Sequence, residues 1–212
     1  VFDMASKMAR RVPQFLAHFG VVILERELKV DATGSQFSPL SADDKTLDGL
    51  NPSFAVVDEL HAHRTRGVWD VLVTALGSRA QALLLAISTA GTSIGGICHE
   101  VLTYGQKVLQ GVFDDDEFFC INYTIDDADR EHWDDEAVMR KANPNWGVSV
   151  NPAWMLAQAK MARRSPAAIN NFLTKHCNVW VRGVSAWMPM AAWGACTDAD
   201  LTLESLIGAQ RI

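Results

Sequence analysis

The chain has 212 residues, 49% of them hydrophobic, with a mean hydropathy of +0.03, enough apolar mass for one sizeable domain or a domain with a small appendage. No apolar run reaches the roughly 20 residues that cross a bilayer, so a helical membrane span is excluded. The net charge of −6 speaks against general polyanion binding, yet residues 112–136 carry eleven acids against Arg130 alone, while residues 137–197 carry seven bases and no acid, which keeps nucleic acid open as a partner of the basic segment.

The opening predicts a helical stripe through Ala5, Met8, Ala9, Val12, Phe15, Leu16 and Phe19, kinked or divided at Pro13 and ended by Gly20. Val21 to Val30 reads as a strand, Gly34 to Leu40 as a second extended piece, and Asp43 to Pro52 as a loop. Phe54-Ala55-Val56-Val57-Asp58-Glu59 is then predicted as a buried parallel strand that delivers two carboxylates to its C-terminal end. Val68, Val71, Leu72, Ala75 and Leu76 mark a helix with Gly77 as C-cap, and Ala82 to Thr89 a second buried strand. A glycine- and hydroxyl-rich turn over 91–96 leads into another helical stripe, Ile97 to Leu109, and Phe118 to Thr124 alternates as a third strand. Strand–helix–strand–helix–strand order implies an α/β fold with a parallel sheet flanked by helices.

The character changes after Asp126. Asp134 is predicted to cap a short helix reaching about Ala142, and Asn143-Pro144-Asn145 to break it. Pro152 to Arg164 reads as helix. Ser165-Pro166 then supplies an N-cap and a first-turn proline for the stripe Ile169, Phe172, Leu173, His176, Val179 and Trp180. The expected division is 1–125, the sheet domain, and 126–212, a small helical subdomain. Cys98, Cys120, Cys177 and Cys196 lack paired spacing and read as reduced, buried residues of an intracellular protein. Val1-Phe2-Asp3-Met4-Ala5 is neither an initiator nor a signal sequence, so the chain is expected to be a fragment.

Three features converge on one edge of the predicted sheet: Asp58 and Glu59 at one strand end, Ser88, Thr89 and Ala90 at the next, and Arg64 and Arg66 just past the acids. Ligands of open parallel sheets bind at the carboxyl ends of the strands. Neighbouring strands lie about 4.8 Å apart, so hydroxyls on the second are within reach of a water or phosphate beside Glu59. An aspartate offers the hard oxygen ligand that Mg²⁺ prefers, and a glutamate an ionised acceptor that can be aimed at water. Alone, four apolar residues before Asp-Glu is a weak signal.

The run Leu40-Ser41-Ala42-Asp43, then Leu47-Asp48-Gly49-Leu50-Asn51-Pro52-Ser53 leading into Phe54 to His63, followed by Ile87-Ser88-Thr89-Ala90-Gly91, resembles the large terminase subunit of tailed bacteriophages. Asn143-Pro144-Asn145-Trp146 and Trp187-Met188-Pro189 with Trp193 resemble the linker subdomain between that family's ATPase and nuclease. The resemblance implies a RecA-like P-loop NTPase sheet, incomplete at its N-terminus, followed by the linker. It implies an ATP-hydrolysing motor that packages viral double-stranded DNA, with ATP and Mg²⁺ as cofactors. Asp58 would be the Mg²⁺ ligand, Glu59 the catalytic glutamate, and Ser88, Thr89 and Ala90 the coupling motif. Implied partners are DNA, a portal protein, a small terminase subunit and further copies in a ring, in the host cytoplasm and with no membrane. The family's Gly-rich, Lys-bearing phosphate loop does not occur in these residues, and the nuclease is expected beyond residue 212, so this piece alone is expected to be inactive.

Plainer readings stand beside these. Acids at a strand end often meet only solvent, and Ser88-Thr89 serves equally as an N-cap pair. His61 and His63 read as polar loop residues rather than zinc ligands, since no finger-like spacing accompanies them. Arg64 and Arg66 could stabilise phosphate or simply be exposed. Lys160, Arg163 and Arg164 could grip duplex phosphates, or pair with the acidic stretch before them. The tryptophans at 133, 146, 154, 180, 187 and 193 could stack on bases, but in a small subdomain they more often form its core. Alternative functions are a helicase, since Asp58-Glu59-Leu60-His61 fits an Asp-Glu-x-His pattern, and a non-catalytic interaction domain.

Overall fold

A computed structural model describes residues 1–41, 47 and 49–182. Asp43, Asp48, Trp187, Met188, Pro189, Trp193 and Cys196 lie outside the described residues. Helices α1 (Phe2–Arg10) and α2 (Pro13–Phe19) are divided at Pro13, which occupies the first turn of α2, where its missing N–H is not needed. Gly20 ends α2 with φ 63°, a conformation that favours glycine. The predicted strand over 21–30 is two strands. β1 (Val21–Ile23) and β2 (Leu28–Val30) form an antiparallel hairpin with Val21 opposite Val30, closed by the Leu24 N–H donating to the Glu27 carbonyl at 2.8 Å. The charged Glu25-Arg26 interrupts the apolar run at the turn. β3 (Ser35–Phe37) adds to β2.

The second sheet positions the site. β4 (Phe54–Asp58) and β5 (Leu83–Ile87) pair in parallel, with Phe54 opposite Leu83 and Asp58 opposite Ile87. The crossover passes through a 3₁₀ turn (Leu60–Ala62) and α3 (Gly67–Leu76). Ala55 and Val57 of β4 point inward to join Leu47, Leu60, Leu72 and Ile97 in one core, the last on α4 (Ile97–Leu109). β5 was expected to be buried on both faces. Instead Leu83, Leu85, Ala86 and Ile87 are exposed among the described residues, and Leu84 alone packs against the core of β4. Gly77 sits at the C-cap of α3 in right-handed geometry, so no left-handed cap forms there.

The third predicted strand is not one. Residues 118–124 run extended without a ladder, and their alternation has a different cause. Phe118 packs edge-on against Tyr104 of α4, while Phe119 is 83% exposed on the opposite side. A Cβ on Gly105 would stand 2.7 Å from Cys120 Sγ, 3.0 Å from its Cβ and 3.1 Å from the Phe118 ring. Helix propensity alone would make Gly105→Ala stabilising by about 1 kcal/mol, but displacing a short side chain and a ring outweighs that. The expected result is a net loss of about 1–2 kcal/mol in urea unfolding.

A separate helical core follows. A 3₁₀ turn (Asp127–His132) precedes α5 (Glu136–Ala142), α6 (Pro152–Ala162) and α7 (Pro166–His176). The cap of α5 is Asp135, whose carboxylate accepts from the Ala137 N–H at 3.0 Å, not Asp134. Asn151 and Ser165 cap α6 and α7. Trp133, Val138, Met139, Met155, Phe172 and Cys177 fill the centre. Burial pushes the Cys177 thiol up to about 12, which leaves it inert at neutral pH. Trp133 is core and Trp154 is half exposed.

Candidate functional site

β4 carries Asp58 to the sheet edge, where it is exposed, and the chain then bends sharply. Glu59 makes the bend in the left-handed region, φ 53° and ψ 49°, rare for a residue with a Cβ. The bend is held from the neighbouring strand, since the Glu59 N–H donates to the Ile87 carbonyl at 2.8 Å. The Glu59 side chain remains 56% exposed. Ser88 and Thr89 continue from β5 directly beside it, so the two strand ends meet as expected.

His61, in the 3₁₀ turn, joins them. Its backbone N–H donates to Ser88 Oγ at 3.0 Å, and its Nδ1 lies 3.0 Å from Ser88 Oγ and 3.0 Å from Glu59 Oε2. The Ser88 hydroxyl donates to the Thr89 carbonyl at 2.9 Å. His61 is not a loop residue in the plain sense, for its side chain is only 14% exposed. Burial first, then the nearby Lys175 ammonium, hold its pKa below the usual imidazole value, against the pull of Glu59.

The helical core reaches this edge too. Lys175 Nζ lies 2.8 Å from His61 Nε2 and 3.5 Å from Thr89 Oγ1. Asn178, at φ 54°, accepts the Ala90 N–H on its Oδ1 at 2.6 Å and donates through Nδ2 to the Tyr123 carbonyl at 2.8 Å and Asn122 Oδ1 at 3.1 Å. Ala90 and Gly91 are buried under this contact, and a Cβ on Gly91 would stand 3.0 Å from His61 Cβ and 3.3 Å from the Trp180 ring. Sequence reading singled out neither Asn178 nor the meeting of His61 with Lys175.

The remaining candidates divide. Arg66 is held by Asp70 at 2.8 Å and Glu100 at 3.1 Å, whereas Arg64 is exposed and makes no ion pair among the described residues. Arg163 pairs with Asp134, and Lys141 with Asp126 and Asp129, so part of the basic segment neutralises the acidic one. Lys160 and Arg164 are exposed without an ion pair among the described residues.

The family model for "Terminase large subunit, ATPase domain" matches residues 1–107. The chain belongs to the terminase large subunit family. Residues 112–205 match "Terminase large subunit, endonuclease domain". The chain is 28% identical over 209 residues to the terminase large subunit of Enterobacteria phage HK97, and 41% identical over 161 residues to Protein YmfN of Escherichia coli. These matches cover 95% and 76% of this chain but 39% and 35% of those proteins. The crystal structure of the HK97 bacteriophage large terminase superposes with a TM-score of 0.68 at 27% identity, over 92% of this chain and 40% of that one. The chain therefore spans well under half the length of the proteins it matches. Asp58, Glu59, Ser88 and Thr89 fall in the ATPase match, Lys175 and Asn178 in the endonuclease match. The helicase and interaction-domain readings are not favoured by these similarities. No described helix is long and apolar enough to cross a membrane.

Proposed function

We propose that the chain is the later part of the ATP-hydrolysing motor of a terminase large subunit, which packages double-stranded viral DNA. The observation that carries the reading is the carboxylate pair Asp58-Glu59 at the end of a parallel strand, directly beside Ser88-Thr89 on its neighbour, in a chain of this family. Residues 1–125 would complete a P-loop ATPase with a phosphate-binding loop supplied elsewhere, and 126–212, which lies largely within the endonuclease match over 112–205, would be the linker that leads into the nuclease. Of the acids described in that linker, Asp126 and Asp129 are engaged by Lys141, Asp134 by Arg163, Asp127 by Arg130 and Glu136 by Arg140. No group of three or more His, Cys, Asp or Glu gathers as a metal site among the described residues.

Asp58 suits Mg²⁺, a cation that keeps several waters and takes one or two protein carboxylates. Mg²⁺ bound there with ATP would offset phosphate charge. Glu59, exposed at the strand end, would orient the attacking water and accept its proton. Ser88, Thr89 and Ala90, tied to Asn178 and Lys175, would transmit the state of the nucleotide to the helical part. Arg64 is the freer of the two arginines to meet phosphate. The portal protein, a small terminase subunit and further copies in a ring are the expected partners, in the host cytoplasm. The test is Mg²⁺-dependent ATP hydrolysis by the full gene product and its loss in Glu59→Gln.

Lys160 and Arg164 are the better candidates for DNA, because Arg163 is already paired. Reversing both to Glu is expected to weaken duplex binding regardless of sequence and to lower the slope of log affinity against log salt by about 2, one for each phosphate no longer neutralised. Filter binding across a salt series checks it, and an unchanged slope assigns both residues to assembly or structure.

A further inference from the structure

Lysine offers only donors, so at 2.8 Å from Lys175 Nζ the Nε2 of His61 must be the acceptor and the ring proton must sit on Nδ1. That places an N–H donor 3.0 Å from both Glu59 Oε2 and Ser88 Oγ. Ser88 is ready to accept, because its own hydroxyl proton is given to the Thr89 carbonyl. One tautomer thus suits Lys175 and Glu59 together, with Ser88 Oγ, which also accepts from the His61 backbone N–H, sharing the Nδ1 proton. The contact is also close-packed, since a Cβ on Gly91 would press on the His61 side chain at 3.0 Å. Lys175 belongs to α7, and the same stretch of chain is anchored to the end of β5 by Asn178 on Ala90 and by the Val181 N–H on the Gly91 carbonyl at 3.4 Å.

We infer that His61 is a positioning residue for Glu59 whose tautomer is set by Lys175, so that the seating of the helical subdomain on the end of β5 determines how the carboxylate is aimed. Withdrawal of α7 removes the ammonium from Nε2, frees the imidazole to take its other tautomer, and leaves Glu59 facing a lone pair instead of a donor. A lone pair opposite a carboxylate repels it, so the two positions of the subdomain favour two directions of Glu59. The inference rests on the proposed role of Glu59 in hydrolysis, and the tautomer itself can be read without any activity.

The first measurement is long-range ¹H–¹⁵N correlation of the histidine side chains in the chain at neutral pH, with His61 assigned through His61→Gln. The expected pattern is a neutral Nδ1–H imidazole in the wild type, replaced in Lys175→Met by the Nε2–H tautomer or a mixture, and restored in Lys175→Arg, which also offers only donors. The second is ATP turnover by the full gene product. Lys175→Met is expected to lower kcat by between about tenfold and a hundredfold with KM for ATP little changed, as a misaimed catalytic group does, and Lys175→Arg to recover much of it. Thermal melts of the variants matching the wild type exclude general unfolding. A wild-type Nε2–H or cationic His61, His61 signals indifferent to Lys175→Met, or an unchanged kcat in Lys175→Met each overturns the inference. With Glu59→Gln inactive in the same assay, such a result leaves the role of Glu59 standing. Full activity in Glu59→Gln removes both.

Discussion

Glu59→Gln in the full gene product is expected to lower Mg²⁺-dependent ATP turnover by at least about 100-fold, the lower end of what a positioned acid or base contributes. Glutamine keeps the size of the side chain and asks nothing new of the left-handed backbone at this position, so the fold survives. It can still hydrogen-bond, but it cannot take a proton from water, and it presents no charge to orient one. Nucleotide affinity is expected to stay close to wild type, because Mg²⁺ would rest on Asp58 rather than on Glu59. A coupled assay for phosphate release gives turnover, and a fluorescent nucleotide titration gives affinity. Turnover within about twofold of wild type would contradict a general-base contribution of that size and remove Glu59 from the chemistry.

The second large effect is expected at Asn178. Its side chain makes three hydrogen bonds, to the Ala90 N–H on one side and to Tyr123 and Asn122 on the other, and its carbonyl accepts from Thr124 Oγ1 at 3.0 Å. Asn178→Ala removes the three side-chain bonds, at about 1 kcal/mol each, and places a Cβ-bearing residue without local hydrogen bonding in the left-handed region, at about 1 kcal/mol more. The sum is about 3–4 kcal/mol, a large share of the ~5–15 kcal/mol that holds an ordinary domain together. Asn178→Gly isolates the hydrogen bonds, because glycine tolerates φ 54°. Asn178→Asp keeps the acceptor for Ala90 and loses the two donors. Urea unfolding followed by circular dichroism and by tryptophan fluorescence is expected to show transitions that separate in the alanine variant, since the sheet core and the helical core share no buried residue. A shift under about 1 kcal/mol with coincident transitions would mean that the lobes are joined by other contacts.

What the sequence made legible was local. The stripe of α7 as far as His176, the caps at Ser165 and Pro166, the break at Pro13 and the strand ending in Asp58-Glu59 follow from spacing and from residues with fixed backbone preferences, whereas Val179 and Trp180 lie beyond the helix end. The hairpin over 21–30 was hidden because its turn has no glycine, asparagine or proline, only the charges of Glu25, Arg26 and Glu27. The alternation of Phe118 to Thr124 looked like a strand because one side packs on α4, yet the end of that segment is held by Asn178 and Cys177 instead of a neighbouring strand. Asp134 yields the cap to Asp135 because its carboxylate is taken by Arg163, at the end of α6. The junction of His61 with Lys175 lies 114 residues apart in the chain. No periodicity reports such a contact, and only the seating of α7 against β5 creates it.

Glu59 turns the chain in the left-handed region, at φ 53°. For an L-residue other than asparagine or aspartate, the left-handed conformation costs on the order of 1 kcal/mol. Glycine would therefore suit the backbone at position 59 better, and it has no carboxylate. Here stability and chemistry pull toward different residues, as they do where a fold gives up some stability to keep a reactive side chain. A search for more stable versions of this chain that scores the backbone alone would begin by erasing the group on which the proposed motor turns.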